Sequence, residues 1–551
     1  MEIINLVKEQ IKNELSKLQI QTEDKENDFT VETPPKDEMG DFSSNVAFLL
    51  AKKMRKSPMI IAKDLAQELN NNSFFCKVED LNGFLNFFIS PEIYQRISSH
   101  IISNPRTYGK FDIGKGTNIQ FEFASVNPTG PMTVAHGRQA VMGDVMANVY
   151  EEVGYNVQKE MYLNDAGRQI KLLAYSLWVR YNELLDSNYE IPEDGYKGEY
   201  LIDTAKKVLD KYGDIFKDKW NEEIENTFKK EVLEDMVKSM LETLNKIDVK
   251  FDVVFSEQLL FKNKMVEKTL EQLKSKKMVY EKEDALWFKV SELIDEDDKV
   301  LIRSKDKMPT YFCDDIAYHY YKYFRGFEKV IDIMGSDHHG HIPRMMASIK
   351  ALGLPDDFLK IILHQFVNIK KGEEILRMST RKGEFFTLDE LIDNVGKDAV
   401  RYFFAMVDPD TTMNFDIDLA IKKSNENPVF YVQYAHARIC SIFKEAKKRN
   451  IEFEKFLGLD LLIENEEKLL IRELSLFSNV LESSASQFKP NLLTQYLERI
   501  ASRFHQFYNK HSVLNAENSQ LIQGRLNLCF ATKIVLQRGL SILGVTAPES
   551  M

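Results

Sequence analysis

Residues 118–163 narrow the choice of fold more than any other part of the chain. Asn118 to Ala124 alternates in character and is β-prone, and Asn127-Pro128-Thr129-Gly130-Pro131 then breaks the extended run. From about His136 to Val153 the residues Val141, Val145 and Val149 fall on one helical stripe, and Asn156 to Leu163 is β-prone again. Strand, helix and strand this close together predict a βαβ unit, hence a parallel sheet with a right-handed crossover. Strand candidates recur at Ala285–Val290 and Val330–Met334, while residues 169–275 read as mostly helical. The pattern predicts a doubly wound α/β sheet split by a helical insertion.

The flanks differ in texture. Residues 1–112 read as a small α+β unit, with helical spacing in Ile3, Val7, Ile11 and Leu15 and again from Asn45 to Leu69, and a strand at Phe84–Ile89. The acidic stretch Thr22–Met39 contains Pro34-Pro35 and is expected to be an exposed loop. From about Val429 to Met551 the chain is nearly all helical. The 551 residues, at ~150 per domain, predict three or four domains. Boundaries are expected at 1–112, 113–425 (with the insertion about 169–275) and 426–551. No apolar run reaches the ~18 residues of a membrane span, and Met1 to Gln19 lacks the features of a signal peptide. Cys76, Cys313, Cys440 and Cys529 are isolated, which disfavours disulfide frameworks and cysteine-rich zinc sites. A reducing, cytoplasmic setting is expected.

The turn before the helix carries the first chemical signal. Glu122-Phe-Ala-Ser-Val-Asn-Pro-Thr-Gly-Pro-Met-Thr-Val-Ala-His136-Gly-Arg runs from a strand end into a helix start. Unpaired backbone N–H groups and the positive end of the helix dipole suit a phosphate there, and Thr133 and His136 can add donors. Taken alone, the segment reads equally as a tight turn with an incidental histidine. A second segment, Glu373-Glu-Ile-Leu-Arg377-Met378-Ser379-Thr380-Arg381-Lys382-Gly383, packs cations around two hydroxyls. Such a Gly-flanked loop can close on a triphosphate and offset leaving pyrophosphate.

Together and in this order, the two segments resemble the HIGH and KMSKS signatures of class I aminoacyl-tRNA synthetases. They stand here as Thr133-Val134-Ala135-His136 and Arg377-Met378-Ser379-Thr380-Arg381. Over essentially the whole length the chain is similar to the arginyl branch of that class. Supporting segments include Asn164-Asp165-Ala166-Gly167-Arg168-Gln169, Tyr196-Lys-Gly-Glu-Tyr200, Asp314-Asp315-Ile316-Ala317-Tyr318 and Gly335-Ser336-Asp337-His338-His339-Gly340. The resemblance implies catalytic roles for Thr133, His136, Arg377, Met378, Ser379, Arg381 and Lys382. It implies arginine contacts from Glu122, Asn127, Tyr311 and Asp315, with Tyr311 and Asp315 at the guanidinium end. ATP contacts are implied from Pro128, Gly130, His136, Gly137, Gly335, Asp337, His338 and Met378. A guanidinium fork needs carboxylates and amide oxygens in planar arrangement, so the residue types make chemical sense. Thr133, Ala135 and Thr380 depart from the signatures. The alternative they raise is an RNA-binding relative that has lost activation.

By the same resemblance the C-terminal helices bind the anticodon and the N-terminal unit touches the tRNA body. Lys52, Lys53, Arg55 and Lys56 are candidate phosphate contacts. Tyr431, Gln433, Tyr434, Arg438, Tyr508 and Met551 are candidates for the anticodon side, where aromatic stacking and polar edges read unstacked bases. A helix-bundle core is expected to claim most of the neighbouring aromatics, Phe430, Phe504 and Phe507 among them. Expected ligands are tRNA(Arg), L-arginine and ATP with Mg²⁺, with no structural metal, no membrane and a monomeric protein. Net charge −12 argues at first sight against a polyanion partner. Residues 431–551, however, hold 15 Lys+Arg against 12 Asp+Glu, so the acidity belongs to residues 1–430. Contact with RNA is then confined to local basic strips.

Overall fold

The computed structural model describes residues 3–18, 29–165, 167–372, 374–376 and 386–551, and contact grouping divides the chain into 112–422 on one hand and 1–111 with 423–551 on the other. In residues 112–422 the βαβ unit forms where the sequence pattern puts it: β1 Asn118–Glu122, α1 Val134–Glu152 and β2 Asn156–Leu163. The sheet continues with β3 Val253–Ser256, β4 Lys329–Gly335 and β5 Leu359–His364, in the spatial order β3-β2-β1-β4-β5 with every pair parallel. Strand order reverses between β1 and β4, and in such sheets ligands bind in the crevice at the carboxyl ends beside that switch point.

Helix α1 is buried almost all round, which a helix sandwiched between the sheet and other helices requires. Two glycines permit this. A Cβ on Gly143 would lie 2.1 Å from the ring of Phe123, and one on Gly137 would lie 2.5 Å from Leu388 Cδ1.

Two sequence expectations need correction here. The span 169–275 contains the helices Gly167–Glu183, Tyr200–Tyr212, Glu222–Lys246 and Met265–Ser275, but also β3, the edge strand of the main sheet. Four residues between helices carry too little period for sequence to reveal them. Ala285–Phe288 does not join the main sheet. It is the centre of a separate antiparallel sheet with Val279–Lys282 and Lys299–Ile302.

In the other unit, an antiparallel sheet contains Phe84–Ile89 at its interior, between Phe42–Ser44 and Phe75–Leu81. The helical pattern from Asn45 to Leu69 is two helices, Val46–Met54 and Pro58–Leu69. They are separated at Arg55 (φ 51°), with Pro58 opening the second. Of the acidic loop, residues 22–28 lie outside the described residues, and 29–39 include the short strand Val31–Glu32. The C-terminal part is helical, with Pro428–Lys448, Asn465–Ser475, Phe477–Gln487, Asn491–Lys510 and Ser519–Ile542.

Candidate active site

Helix α1 begins as a capping box. The Thr133 hydroxyl accepts from the His136 N–H (3.4 Å) while the Thr133 N–H donates to His136 Nδ1 (3.2 Å). An Nδ1 that accepts leaves the imidazole proton on Nε2. Burial, with His364 nearby, holds the His136 pKa down at about 4, so near neutral pH the ring is an uncharged Nε2–H donor. The threonine that replaces the first histidine of the signature thus serves as the cap that orients the second.

The stretch Arg377, Met378, Ser379, Arg381 and Lys382 lies outside the described residues, but both of its feet are described. On one side Glu374–Leu376 pairs antiparallel with Val367–Lys371. On the other, Thr387 bridges Thr133, and the Leu388 N–H donates to Met132 O (2.8 Å). The described residues that follow this stretch, Thr387 and Leu388, are therefore hydrogen-bonded to the start of α1.

The switch-point crevice gathers residues from two further elements, α2 (Tyr311–Phe324) and the short helix Ser336–His341 after β4. Tyr311, Asp315, Asp337, His338 and His341 line an open cleft of about 370 Å³. Thr310 caps α2 by accepting from the Cys313 N–H (3.3 Å), and the i, i+4 spacing puts Tyr311 and Asp315 on one face. Tyr311 is 62% exposed, so its ring is available to a ligand. His341 Nε2 lies 3.1 Å from Asp315 Oδ2.

The remaining predicted residues take varied places. Glu122 is buried at the end of β1, and its Oε2 accepts from Lys322 Nζ (2.6 Å) rather than facing the cleft unengaged. Asn127 is exposed in the turn, Pro128 is buried, and Gly130 packs near the ring of Tyr200, whose hydroxyl donates to Thr129 O. Gly137 is needed first for the close approach of Leu388. Gly335 ends β4, and Asp337 and His338 are exposed beyond it.

Two neighbours, His364 and Glu257, escaped the sequence reading, and a third, Asp314, figured there only as part of a supporting segment. His364, at the carboxyl end of β5, is buried and held at about 4 by burial, and it acts electrostatically on His136. Glu257, just past β3, is 5% exposed, and its carboxyl is pushed up by burial, with Asp165 and Asp315 adding to the push. Asp314 is buried with an unpartnered Oδ1, and burial, then Glu257 and Asp315, raise it to about 7. Only tertiary contact reveals them; a charge at a strand end was the one local signal. For Asp314 the folded pKa lies above the unfolded value, so its contribution favours the fold fully below about pH 4 and is lost as pH rises through 7. Asp314→Asn is accordingly expected to gain stability over the parent protein above pH 7 and to lose that advantage near pH 4, read by denaturant unfolding at both pH values.

In the second unit, Phe504 and Phe507 are core residues, while Phe430, Tyr431, Tyr434 and Tyr508 stay partly exposed. Arg438 lies over the rings of Tyr434 (5.2 Å) and Tyr508 (5.7 Å). Gln433 Nε2 donates to Thr546 O (2.8 Å), and His436 Nδ1 lies 2.8 Å from Pro548 O, so these two pin the chain that ends at the exposed Met551. Lys52, Lys53, Arg55 and Lys56 are all exposed at the end of one helix.

The comparisons with known proteins agree over the full length. Family models match as "Arginyl tRNA synthetase N terminal domain" over residues 5–89, "tRNA synthetases class I (R), catalytic domain" over 98–423 and "DALR anticodon binding domain" over 432–551. The arginine–tRNA ligase of Thermotoga petrophila is 53% identical over 550 residues, covering 100% of both chains. The chain belongs to the arginyl-tRNA synthetases. The arginine–tRNA ligase of Carboxydothermus hydrogenoformans is 43% identical, with 95% of this chain and 94% of the relative covered. The solved arginyl-tRNA synthetase of Thermus thermophilus, at 21% identity, shares the fold with a TM-score of 0.77 and full coverage of both chains.

Proposed function

We infer that the chain activates L-arginine with ATP and transfers it to the 3′-terminal ribose of tRNA(Arg). The chemistry is supported by a neutral His136 donor at the start of α1, where Thr133 bridges Thr387 beyond the 377–382 segment, and by the Tyr311–Asp315 face that lines the cleft after β4. Arginine's carboxylate attacks the α-phosphorus of ATP, the bond to the bridging oxygen breaks, and pyrophosphate leaves. Aminoacyl transfer follows, with AMP released. The work is positioning and charge stabilisation, with no covalent enzyme intermediate.

In this reading Asp315 and Tyr311 receive the guanidinium, with Glu257 adding negative potential, and Glu122 and Asn127 receive the α-ammonium. His136 donates to a phosphate oxygen as charge grows there. Pro128, Gly130, Gly137, Gly335, Asp337, His338 and Met378 surround the nucleotide. Ser379 and the cations Arg377, Arg381 and Lys382 close over the β- and γ-phosphates. Mg²⁺ arrives as the counter-ion of ATP and belongs to the substrate. Residues 1–112 hold the tRNA body through Lys52, Lys53, Arg55 and Lys56. Residues 426–551 read the anticodon through Tyr431, Tyr434, Arg438, Tyr508 and Met551, with Gln433 acting mainly by fixing the terminal segment. The protein works in the cytoplasm as a monomer.

The test is arginine-dependent exchange of labelled pyrophosphate into ATP. Exchange is expected with arginine when tRNA(Arg) is present, and little without it. No exchange in either condition would leave an RNA-binding relative without activation.

A further inference from the structure

Three carboxylates stand side by side in register across the centre of the sheet. Glu160 of β2 pairs with Glu122 of β1, and Glu122 pairs with Asp332 of β4. All are buried, at 0%, 7% and 0% exposure. Like charges directly opposite one another destabilise a sheet, and buried ones do so more. The compensation comes from one helix. Tyr318 of α2 donates to Glu160 Oε1 (2.6 Å), and just past the helix end Arg325 does the same (2.9 Å). Lys322, fully buried, donates to Glu122 Oε2 (2.6 Å) and Asp332 Oδ1 (2.9 Å). His319 reaches Asp332 Oδ2 through Nε2 (2.6 Å), and its Nδ1–H donates to the carbonyl oxygen of Asp315 (2.7 Å). Asp315, His319 and Lys322 follow at i, i+4 and i+7, on one helix face.

We propose that Lys322 is a positioning residue for arginine recognition. It ties Glu122 in the first half of the sheet to Asp332 in the second, and the connection continues through His319 to the main chain of Asp315, so the arginine-facing ends of β1 and α2 are held in one register. The proposal rests on reading Glu122 and Asp315 as arginine contacts. Stability alone does not ask for this arrangement, because apolar residues of similar volume usually serve a buried site at least as well as an ion pair. A charged network is explained where its outer carboxylates must stay ionised and fixed for a cationic substrate. Burial pushes the Glu122 carboxyl up, and Lys322 is the charge that opposes it.

Lys322→Met is expected to raise the KM for arginine about tenfold or more, with the KM for ATP changed less than about twofold. Without Lys322 the burial that pushes the Glu122 carboxyl up is unopposed, so the arginine KM of the variant is expected to fall back as pH is raised, more steeply than in the parent protein. The groups that set this behaviour are Glu122, Asp332 and His319 around the lysine position, with Tyr318, Glu160 and Arg325 beside them. The charge-balanced pair Lys322→Met with Asp332→Asn guards against simple misfolding and is expected to keep the raised arginine KM. Restoration of the parent value in that pair, or an unchanged arginine KM in both variants, overturns the proposal. Asp315→Asn measured in parallel separates the two levels. If that variant alone raises the arginine KM, the network has no positioning role. If it too leaves KM unchanged, the arginine site has been misread.

Discussion

Asp315→Asn is expected to raise the KM for arginine about 10²-fold while the KM for ATP moves less than about threefold. Truncating one partner of a hydrogen-bonded charge pair costs roughly 2–5 kcal/mol, and 1.4 kcal/mol is about tenfold in affinity. The lower half of that range applies, because Asp315 lies at a cleft rather than in the core and His341 stands 3.1 Å from it. Asparagine keeps the volume and one acceptor oxygen, so the fold and the Thr310 cap of α2 remain, and what is lost is charge and the second oxygen of a bidentate contact. Steady-state charging of tRNA(Arg) with each substrate varied in turn separates the two KM values. An unchanged arginine KM moves the guanidinium to another carboxylate, and Glu122 is then next. The structure weighs on that choice: Glu122 already spends one oxygen on Lys322, whereas Glu257 is buried beside Asp315 and Asp165.

Asp315 entered the sequence reading through family resemblance, and Glu257 had no comparable signal, for a physical reason. Local rules reach as far as local geometry does. The Pro/Gly turn at 127–131 and the β-prone runs on either side are decided within a few residues, and β1, α1 and β2 formed where the pattern put them. Thr133 and His136 share a single helical turn, so their pairing follows from spacing alone. Tyr311 and Asp315 likewise share a helix face. Glu257, His364 and Lys322 acquire meaning only when strands far apart in sequence become neighbours. Lys322 meets Glu122 across 200 positions, and no periodicity carries that information. β3 was missed for the opposite reason: it is too short to show a period, and helices surround it. The Ser57-Pro58 step was a legible helix start that an apolar run across it concealed. The nature of the Arg377–Lys382 segment came from motif chemistry, and the structure adds only where its feet are attached.

His136→Ala is expected to lower the rate of arginine-dependent pyrophosphate exchange about 10²- to 10³-fold, with KM values for arginine and ATP changed less than about threefold. Removing one preorganised donor aimed at developing charge costs on this scale, and the loss falls on kcat because the contact strengthens only in the transition state. The cap geometry sets the direction of the donor. The Thr133 N–H occupies Nδ1, so the proton sits on Nε2, and a pKa of about 4 keeps the ring neutral through the working range. A rate profile between pH 5 and 8 therefore shows no ionisation from this histidine, and an inflection near 6.5 that vanishes in the variant would contradict the assignment. His136 is also the N3 residue of a capping box, so its loss costs stability of about 0.5–2 kcal/mol as well. Thr133→Ala removes the cap hydroxyl but leaves the imidazole and the backbone N–H that orients it. It is expected to lose similar stability with a much smaller fall in rate, and equal falls in both variants would reduce His136 to the cap alone.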